Sequence, residues 1–254
     1  MNRRALPICL VVGACFCGAQ SDPKESGSTS LLIAYRCDPS HRVELRQLMR
    51  EKGLARFEQW KDQGILADYR ILFSRYVDTN NWDMLAYLQF KDFTAVAKWD
   101  AIERATPAGL PAEALRLTST ITTWPSDLMR QKGSDTPSSR PVYLVIPYAY
   151  SVPPQTYLQY ADDYVRPQFE GWMREGILSS YRIFVQRYTA ARPWDSLILL
   201  EYKDDDSLGS RERIVAKVRQ ELQGNPVWKA ISDGKQNVRV EKEAVIAEEL
   251  RINR

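Results

Sequence analysis

Arginine and tyrosine side chains recur on one predicted strand in each half of the chain, and together they can hold an anion. The repeated residues are Arg70, Arg75, Tyr76, Arg182, Arg187 and Tyr188. Side chains alternate between the two faces of a strand, so each strand places an arginine on both faces. A guanidinium donates paired hydrogen bonds to a carboxylate. The functional hypothesis is a pocket in which arginine and tyrosine hold a carboxylate or an enolate.

A structural interpretation competes with this hypothesis. A buried arginine needs a partner, and two acidic positions also occur in both halves, as Glu58 with Glu170 and as Asp83 with Asp195. We favour structural salt bridges that were duplicated together with the strands.

A second group of candidates is found in one half only. Tyr160 and Tyr164 follow the apolar spacing of a predicted helix, and the first half has no tyrosine at the matching positions. If one half contains a working pocket, these hydroxyl groups indicate the second half. The duplicated tryptophans are expected in the core; they are Trp60, Trp172, Trp82 and Trp194.

The sequence gives little support for other kinds of catalytic or cofactor site. The chain has no glycine-rich phosphate loop, no Gly-x-Ser-x-Gly elbow and no clustered Cys/His site. Asp38, His41 and Glu44 lie near a predicted helix start, where such residues usually cap the helix. His41 is the sole histidine. We therefore predict no metal site and no cofactor.

An internal duplication organises the chain. Residues 57–92 match residues 169–204 at an offset of 112, with 17 identities in 36 positions. Each copy is predicted to run strand, helix, strand, strand, helix, strand. Gly64 and Gly176 are expected to end the first helices in the left-handed conformation, and Pro167 is expected to kink or restart the second long helix.

Composition shifts divide the chain into five segments. They are a signal peptide 1–19, a tether 20–30, a first unit 31–131, a Gly/Ser/Pro-rich linker 132–141 and a second unit 142–254. The order of elements predicts an α+β fold in which two tandem ferredoxin-like βαββαβ units pack sheet to sheet as an intramolecular α+β barrel.

This duplicated topology resembles the dimeric α+β barrel superfamily. The repeated Gly-Ile-Leu, Tyr-Arg-Ile and Trp-Asp elements resemble those of exported bacterial tandem members. The resemblance implies ligand binding between sheet and helices. The superfamily includes cofactor-independent monooxygenases, isomerase-like enzymes, haem proteins that use a proximal histidine, and stress-response proteins.

The start of the chain predicts export. Arg3 and Arg4 precede a short apolar run that is typical of a secretory signal peptide. Cys15 ends a segment similar to a lipobox, so either lipidation at Cys15 or cleavage after Ala19 is open. We expect a periplasmic or outer-membrane-anchored protein. No later segment is long enough to span a membrane.

The net charge of +3 gives no support for nucleic-acid binding. We predict a protein that binds a small aromatic or anionic molecule or serves a structural or stress role, as a monomeric pseudo-dimer or a homo-oligomer. The alternatives are a cofactor-independent monooxygenase-like or isomerase-like enzyme, and a module that binds another envelope protein.

Overall fold

The computed structural model of the chain describes residues 28–134 and 138–251. We call these two ranges the first half and the second half. The predicted signal peptide, Cys15 and most of the tether lie outside the described residues, as do residues 135–137 of the linker. Within the described ranges, no helix is long and apolar enough to cross a membrane.

The first half contains strands and helices in the predicted order, and the second half follows the same order with one additional short strand, β8. The elements of the first half are β1 (Ser28–Cys37), α1 (Arg42–Leu48), α2 (Leu54–Asp62), β2 (Asp68–Ser74), β3 (Met84–Gln89), α3 (Phe93–Ala105), α4 (Ala112–Leu117) and β4 (Thr118–Gly133). Those of the second half are β5 (Val142–Tyr150), α5 (Pro154–Tyr160), α6 (Arg166–Arg174), β6 (Leu178–Gln186), β7 (Ser196–Tyr202), α7 (Asp205–Gly209), α8 (Arg211–Leu222), α9 (Pro226–Gly234), β8 (Arg239–Glu241) and β9 (Val245–Glu249).

Eight strands close into an antiparallel barrel, which confirms the predicted barrel. The order is β7-β6-β4-β1-β3-β2-β9-β5, and β5 pairs with β7 to complete the ring. The halves join where β2 pairs with β9 and where β4 pairs with β6. β8 pairs with β5 beyond the end of β9. Closure leaves no exposed edge between the halves.

Two strands are longer than the sequence predicts. Ser28 pairs with Leu128, so three residues of the predicted tether belong to β1. β4 continues to Gly133, into the predicted linker, because its second edge pairs with β6. Beyond Leu128 the segment pairs with β6 alone, and these hydrogen bonds hold it in a strand that its composition does not suggest.

The residues that end or cap a helix adopt the same local geometry in both halves. Gly64 and Gly176 adopt positive φ angles of 68° and 81°, as predicted. Asp92 and Asp204 accept hydrogen bonds from Ala95 N and Ser207 N and so cap the following helices.

The long helix of each half contains one wide π-helical turn. The two turns are Met49–Gly53 and Ala161–Val165, and they lie 112 residues apart. Pro167 falls in the first turn of α6, where the helix begins again just after the second wide turn, which is the restart that was one of the two predicted outcomes. The first half has the same turn without a proline, so Pro167 is not its cause. Such turns often occur at functional sites.

Three apolar layers fill the protein. Odd-numbered β2 residues such as Ile71 and Phe73 face the helices of the first half, and Leu72 faces the barrel interior. Trp60 and Trp172 are buried between helices and sheet, as predicted. The third layer lies inside the barrel and draws residues from both halves.

Candidate functional site

A cavity of about 240 Å³ lies between the helices and the sheet of the second half. We call it the second-half cavity and define it by Tyr148, Tyr160, Tyr164, Trp172, Arg211 and Arg239. Strands β5 and β8, helices α6 and α8 and the wide turn before α6 all contribute to its wall. A concave space with aromatic walls and few polar groups is typical of a small-molecule site.

A ladder of aromatic rings runs beside this cavity, and two of its members, Tyr160 and Tyr164, line it. Ring centres are 4.4 Å apart for Tyr150 and Tyr157, 5.2 Å for Tyr160 and Tyr164, and 5.0 Å for Tyr164 and Trp228. Trp228 comes from α9 and donates its Nε1–H to the Tyr164 carbonyl at 3.0 Å. The wide turn Ala161–Val165 and α9 together fix the position of Tyr164.

Arg239 is the central cation of the cavity. Its guanidinium carbon lies 3.8 Å from the centre of the Tyr148 ring and 5.3 Å from that of Tyr160. These cation–π contacts offset part of the cost of burying a charge. The hydroxyl groups of Tyr157 and Tyr160 interact with the guanidinium through charge and hydrogen bonding, whereas its Nη1 atom is buried with no hydrogen-bond acceptor among the described residues.

Two further donors in this wall have no partner. The Tyr164 hydroxyl and the Trp172 Nε1–H are buried and form no hydrogen bond within residues 28–134 and 138–251. Most buried polar groups in folded proteins are hydrogen-bonded, so three such groups around one cavity need an explanation. A bound molecule with acceptor atoms would satisfy them.

The charge of the wall favours an anion. Four cations and one carboxylate line the cavity, namely Arg211, Arg219, Lys235, Arg239 and Glu241. The carboxylate accepts a hydrogen bond from the Tyr148 hydroxyl at 3.0 Å. Burial raises the pKa of Tyr160 to about 12, although Arg239 opposes this shift. Tyr160 is therefore a neutral phenol and a hydrogen-bond donor near pH 7.

The first half differs at the matching positions. Leu48 and Lys52 occupy the positions of Tyr160 and Tyr164 at the offset of 112. Lys52 is exposed and forms an ion pair with Glu113 at 3.1 Å. The long helix of the first half therefore has no tyrosine hydroxyl at these two positions.

The structure separates the arginines and tyrosines that the sequence grouped. Tyr160 and Tyr164 line the second-half cavity. Tyr76 and Tyr188 are each 69% exposed in the loops that follow β2 and β6. We leave these two tyrosines out of the proposed site because they touch no part of the cavity.

Arg70 and Arg182 lie on the barrel side of their strands. Arg70 forms ion pairs with Asp68 at 2.9 Å and with Glu249 at 3.2 Å. Arg182 reaches Asp68 at 3.5 Å, although its Nε is buried without an acceptor in the described part of the chain. Both arginines therefore belong to a charged network at one end of the barrel.

Arg75 and Arg187 join the two halves. Arg75 forms an ion pair with Asp205, and Arg187 binds Asp127 through Nε and Nη2, with its Nη2 2.6 Å from Oδ1. The favoured interpretation as salt bridges agrees with these contacts. The partners differ from the prediction, because the pairing of strands between halves brings other carboxylates closer.

The acidic residues that the sequence offered as partners serve elsewhere. Glu58 accepts a hydrogen bond from Tyr69 at 2.7 Å, and Glu170 lies 3.5 Å from Arg166. Asp83 pairs with Arg42, and Asp195 accepts from the backbone N–H of Tyr150 at 3.0 Å. Glu58, Asp83 and Asp195 therefore act within their own halves, while Glu170 also lies 3.6 Å from Lys132 of the first half.

Arg239 is not among the residues that the sequence singled out. It follows α9, and at the offset of 112 its position corresponds to Asp127, so the duplicated pattern contains no second arginine there. An arginine in an insertion unique to one half, next to a unique run of tyrosines, is the signal that could have identified it.

Comparisons with known proteins define the fold class. No family model matches the chain, and neither does the sequence of any curated protein. Solved structures are similar: a candidate monooxygenase from Lactobacillus acidophilus has a TM-score of 0.55 at 10% identity, covering 89% of this chain and 95% of that one. A candidate monooxygenase from Fusobacterium nucleatum has a TM-score of 0.53 at 14% identity, covering 89% and 94%.

A heme-binding protein from Thermus thermophilus is also similar, with a TM-score of 0.50 at 12% identity, covering 89% of this chain and 92% of that chain. At these identities the likeness concerns the fold alone. The chain thus has the fold of the dimeric α+β barrel proteins.

A haem held through histidine does not fit the second-half cavity. His41 is the sole histidine of the chain, and it is exposed in the first half, directly before α1. Asp38 beside it accepts a hydrogen bond from Ser40 N at 2.9 Å and so caps a short helical turn. No group of three metal-binding side chains occurs among the described residues.

Proposed function

We propose that the second-half cavity binds a small aromatic anion, such as an aromatic carboxylate. The observation that carries this proposal is the buried Nη1 of Arg239, which has no acceptor among the described residues. A carboxylate supplies two acceptor oxygens and the opposite charge, and such charge-assisted hydrogen bonds are roughly twice as strong as those between neutral groups.

The other side chains that line the cavity favour an aromatic body without a positive charge for the rest of the ligand. Tyr148, Tyr160 and Trp172 offer ring faces to an aromatic body. The excess of cations over the single carboxylate Glu241 penalises a positive charge on the ligand. A purely structural role predicts a filled space in which the polar groups satisfy one another, whereas the unpartnered donors around the cavity support a bound ligand.

Titration calorimetry with two matched probes tests the proposal. The probes are 4-hydroxybenzoate and its neutral isostere 4-hydroxybenzamide. Hydrogen bonds to charged groups contribute about 1.5–3 kcal/mol, so the acid should bind the native protein roughly 10–100-fold more tightly than the amide. Arg239→Gln should abolish this preference.

Arg56→Gln is the matched control, because Arg56 is exposed on α2 of the other half. This variant changes the net charge equally and should bind both probes like the native protein. Equal affinity of the acid and the amide for the native protein, or an unchanged preference in Arg239→Gln, would contradict the proposal.

The second candidate function is a cofactor-independent oxygenase that acts in the same cavity. It is supported by the similarity of the fold to candidate monooxygenases and by the cation that would stabilise an enolate. Anthrone is a suitable enolisable probe: with O₂ it would give anthraquinone and water. Oxygen uptake that depends on Arg239 would favour the enzyme, and binding without oxygen uptake would favour a binding protein.

We also propose that the chain consists of two tandem ferredoxin-like units, 31–131 and 142–254, and that it is exported through residues 1–19. The strand order β4-β1-β3-β2, repeated as β9-β5-β7-β6, supports the tandem units. Mass spectrometry of the mature protein tests export: a lipid-modified N terminus at Cys15 or a free one at Gln20 supports it, and an intact Met1 contradicts it.

A further inference from the structure

A second cavity, of about 330 Å³, lies at one end of the barrel. We call it the barrel-mouth cavity and define it by Trp82, Leu85, Trp124, Val145, Trp194 and Leu197. These residues belong to the apolar layer inside the barrel or pack against it. The cavity therefore draws on both halves and is separate from the second-half cavity.

The duplicated Trp-Asp pairs build two of its walls. Asp83 accepts a hydrogen bond from the backbone N–H of Cys37 at 2.9 Å, and Asp195 does the same for Tyr150 at 3.0 Å. Each aspartate thus fastens its hairpin to the end of the first strand of its half. The tryptophan before it then lines the mouth of the barrel.

Trp124 supplies the third aromatic wall and breaks the symmetry. It pairs with Leu32 on β1, and the corresponding position opposite Val145 is Val245. Its ring centre lies 5.2 Å from that of Trp194. The side chain is 8% exposed, and its Nε1–H is buried with no acceptor among the described residues.

The rim of the cavity is close to neutral. The Arg36 guanidinium is occupied, because its Nε donates to the Asn81 carbonyl at 2.8 Å and its Nη2 to that of Thr79. Lys242 and Glu243 are the remaining charged residues in the lining, and they have opposite signs. The lining thus has two cations and one carboxylate, a smaller excess of positive charge than the four cations and one carboxylate of the second-half cavity.

We propose that the barrel-mouth cavity binds a neutral aromatic molecule that carries one hydrogen-bond acceptor. The three indole rings and the aliphatic side chains would bury its apolar body. The acceptor would take the Trp124 Nε1–H, a donor that would otherwise remain unsatisfied at a free-energy cost. The size of the cavity suits a single small ligand.

The seven tryptophans allow a selective test by NMR. Trp82, Trp124 and Trp194 line the barrel mouth, and Trp60, Trp99, Trp172 and Trp228 lie in the two helix–sheet cores. Titration of the full chain with 1-indanone should shift the indole N–H signals of the first group only. No shift in this group at millimolar 1-indanone, or shifts confined to Trp172 and Trp228, would overturn the proposal.

A matched pair of probes tests the role of Trp124. Indane has the ring system of 1-indanone but no acceptor. Trp124→Phe removes the donor and should weaken 1-indanone about fivefold, the equivalent of one hydrogen bond of about 1 kcal/mol, while indane binding changes less than twofold. An equal loss of affinity for both probes would show that Trp124 contributes only its shape, and would overturn the proposed hydrogen bond.

A filled cavity gives an independent check that does not depend on Trp124. Ala34 lines the cavity and is buried on β1, so Ala34→Leu should abolish binding of both probes. The same variant should bind 4-hydroxybenzoate normally in the second-half cavity, which also shows that it is folded. Retained 1-indanone binding in folded Ala34→Leu would overturn the proposed location.

Discussion

The guanidinium carbon of Arg239 lies 3.8 Å from the centre of the Tyr148 ring, in a wall where its Nη1 meets no acceptor among the described residues. Tyr148 is held in turn by Glu241, which accepts its hydroxyl hydrogen bond at 3.0 Å. Three neighbouring residues of the second half therefore present a positioned cation to a cavity.

Tyr164→Phe should raise stability and lower affinity. The Tyr164 hydroxyl is buried and unpartnered in the described structure, so its removal should stabilise the free protein by up to about 1 kcal/mol. If a ligand accepts from this hydroxyl, 4-hydroxybenzoate should bind about fivefold more weakly. Urea unfolding and calorimetry measure the two effects.

Tyr35→Phe in the first half is the matched control for this prediction. The buried Tyr35 hydroxyl donates to the Ala108 carbonyl at 2.7 Å, so its loss should destabilise the protein by about 1 kcal/mol and leave ligand affinity close to that of the native protein. Effects of the same sign on stability in both variants would contradict the assignment of Tyr164 as a ligand donor.

The duplicated aspartates should differ in their importance for stability. Asp83 is buried and pairs with Arg42, which is itself 8% exposed, whereas Asp195 accepts a backbone hydrogen bond from Tyr150. Asp83→Asn leaves a buried cation without its counterion and should cost about 3–5 kcal/mol. Asp195→Asn should cost about 1 kcal/mol. Equal losses of unfolding free energy in the two variants, measured by chemical denaturation, would contradict the ion pair with Arg42 as the cause of the difference.

Stability should fall in strongly alkaline solution. Burial raises the pKa of Tyr160 and of Tyr150 to about 12, from an ordinary value near 10. The folded state therefore keeps protons that the unfolded state releases, so stabilisation present below pH 10 is lost as the pH rises towards 12. The limit is about 1.4 kcal/mol per pH unit for each tyrosine.

Tyr160→Phe should reduce this dependence, as measured by urea unfolding at pH 9, 10 and 11. Tyr76→Phe removes an exposed phenol and should leave the slope unchanged. The same slope in native protein and Tyr160→Phe would show that Tyr160 does not contribute.

Gly171 should be intolerant of a side chain. It lies on α6 where that helix packs against α8, and a Cβ there would collide with Val218, whose Cγ2 would be only 3.1 Å away. Gly171→Ala should cost about 1–3 kcal/mol. Gly209→Ala on α7 meets nothing within 4 Å and should be neutral or stabilise by up to about 1 kcal/mol. Thermal unfolding of both variants distinguishes tight helix packing from a general effect of glycine.

Much of the fold could be predicted because the duplication repeats local signals. The positive φ angles of Gly64 and Gly176 and the caps at Asp92 and Asp204 depend on neighbours within a few residues. Such local preferences are visible in the sequence. The closed barrel was predicted from the repeated order of strands and helices and from the resemblance to the dimeric α+β barrel superfamily.

The partners of the arginines could not be predicted in the same way. Asp127 lies 60 residues from Arg187, and Asp205 lies 130 residues from Arg75. Both pairs depend on the register between the two halves, which emerges only when β2 meets β9 and β4 meets β6. The duplicated acidic residues were candidate partners because they occur in both halves. The duplication does not determine how far they lie from the arginines.

The candidate site was predicted in part. Tyr160 and Tyr164 stood out because the first half lacks them. Arg239 was not predicted, because it lies outside the repeat and the first half has no equivalent residue with which it could be compared. The break between β8 and β9 that brings it over Tyr148 is a property of the tertiary structure.

A crystal structure of the full chain with 4-bromobenzoate tests the central claim most directly, because anomalous scattering locates the bromine atom. We predict a bromine peak between the helices and the sheet of the second half, with the carboxylate within hydrogen-bond distance of Arg239. A peak confined to the barrel mouth or to the protein surface, with the second-half cavity free of ligand at saturating concentration, would contradict the account.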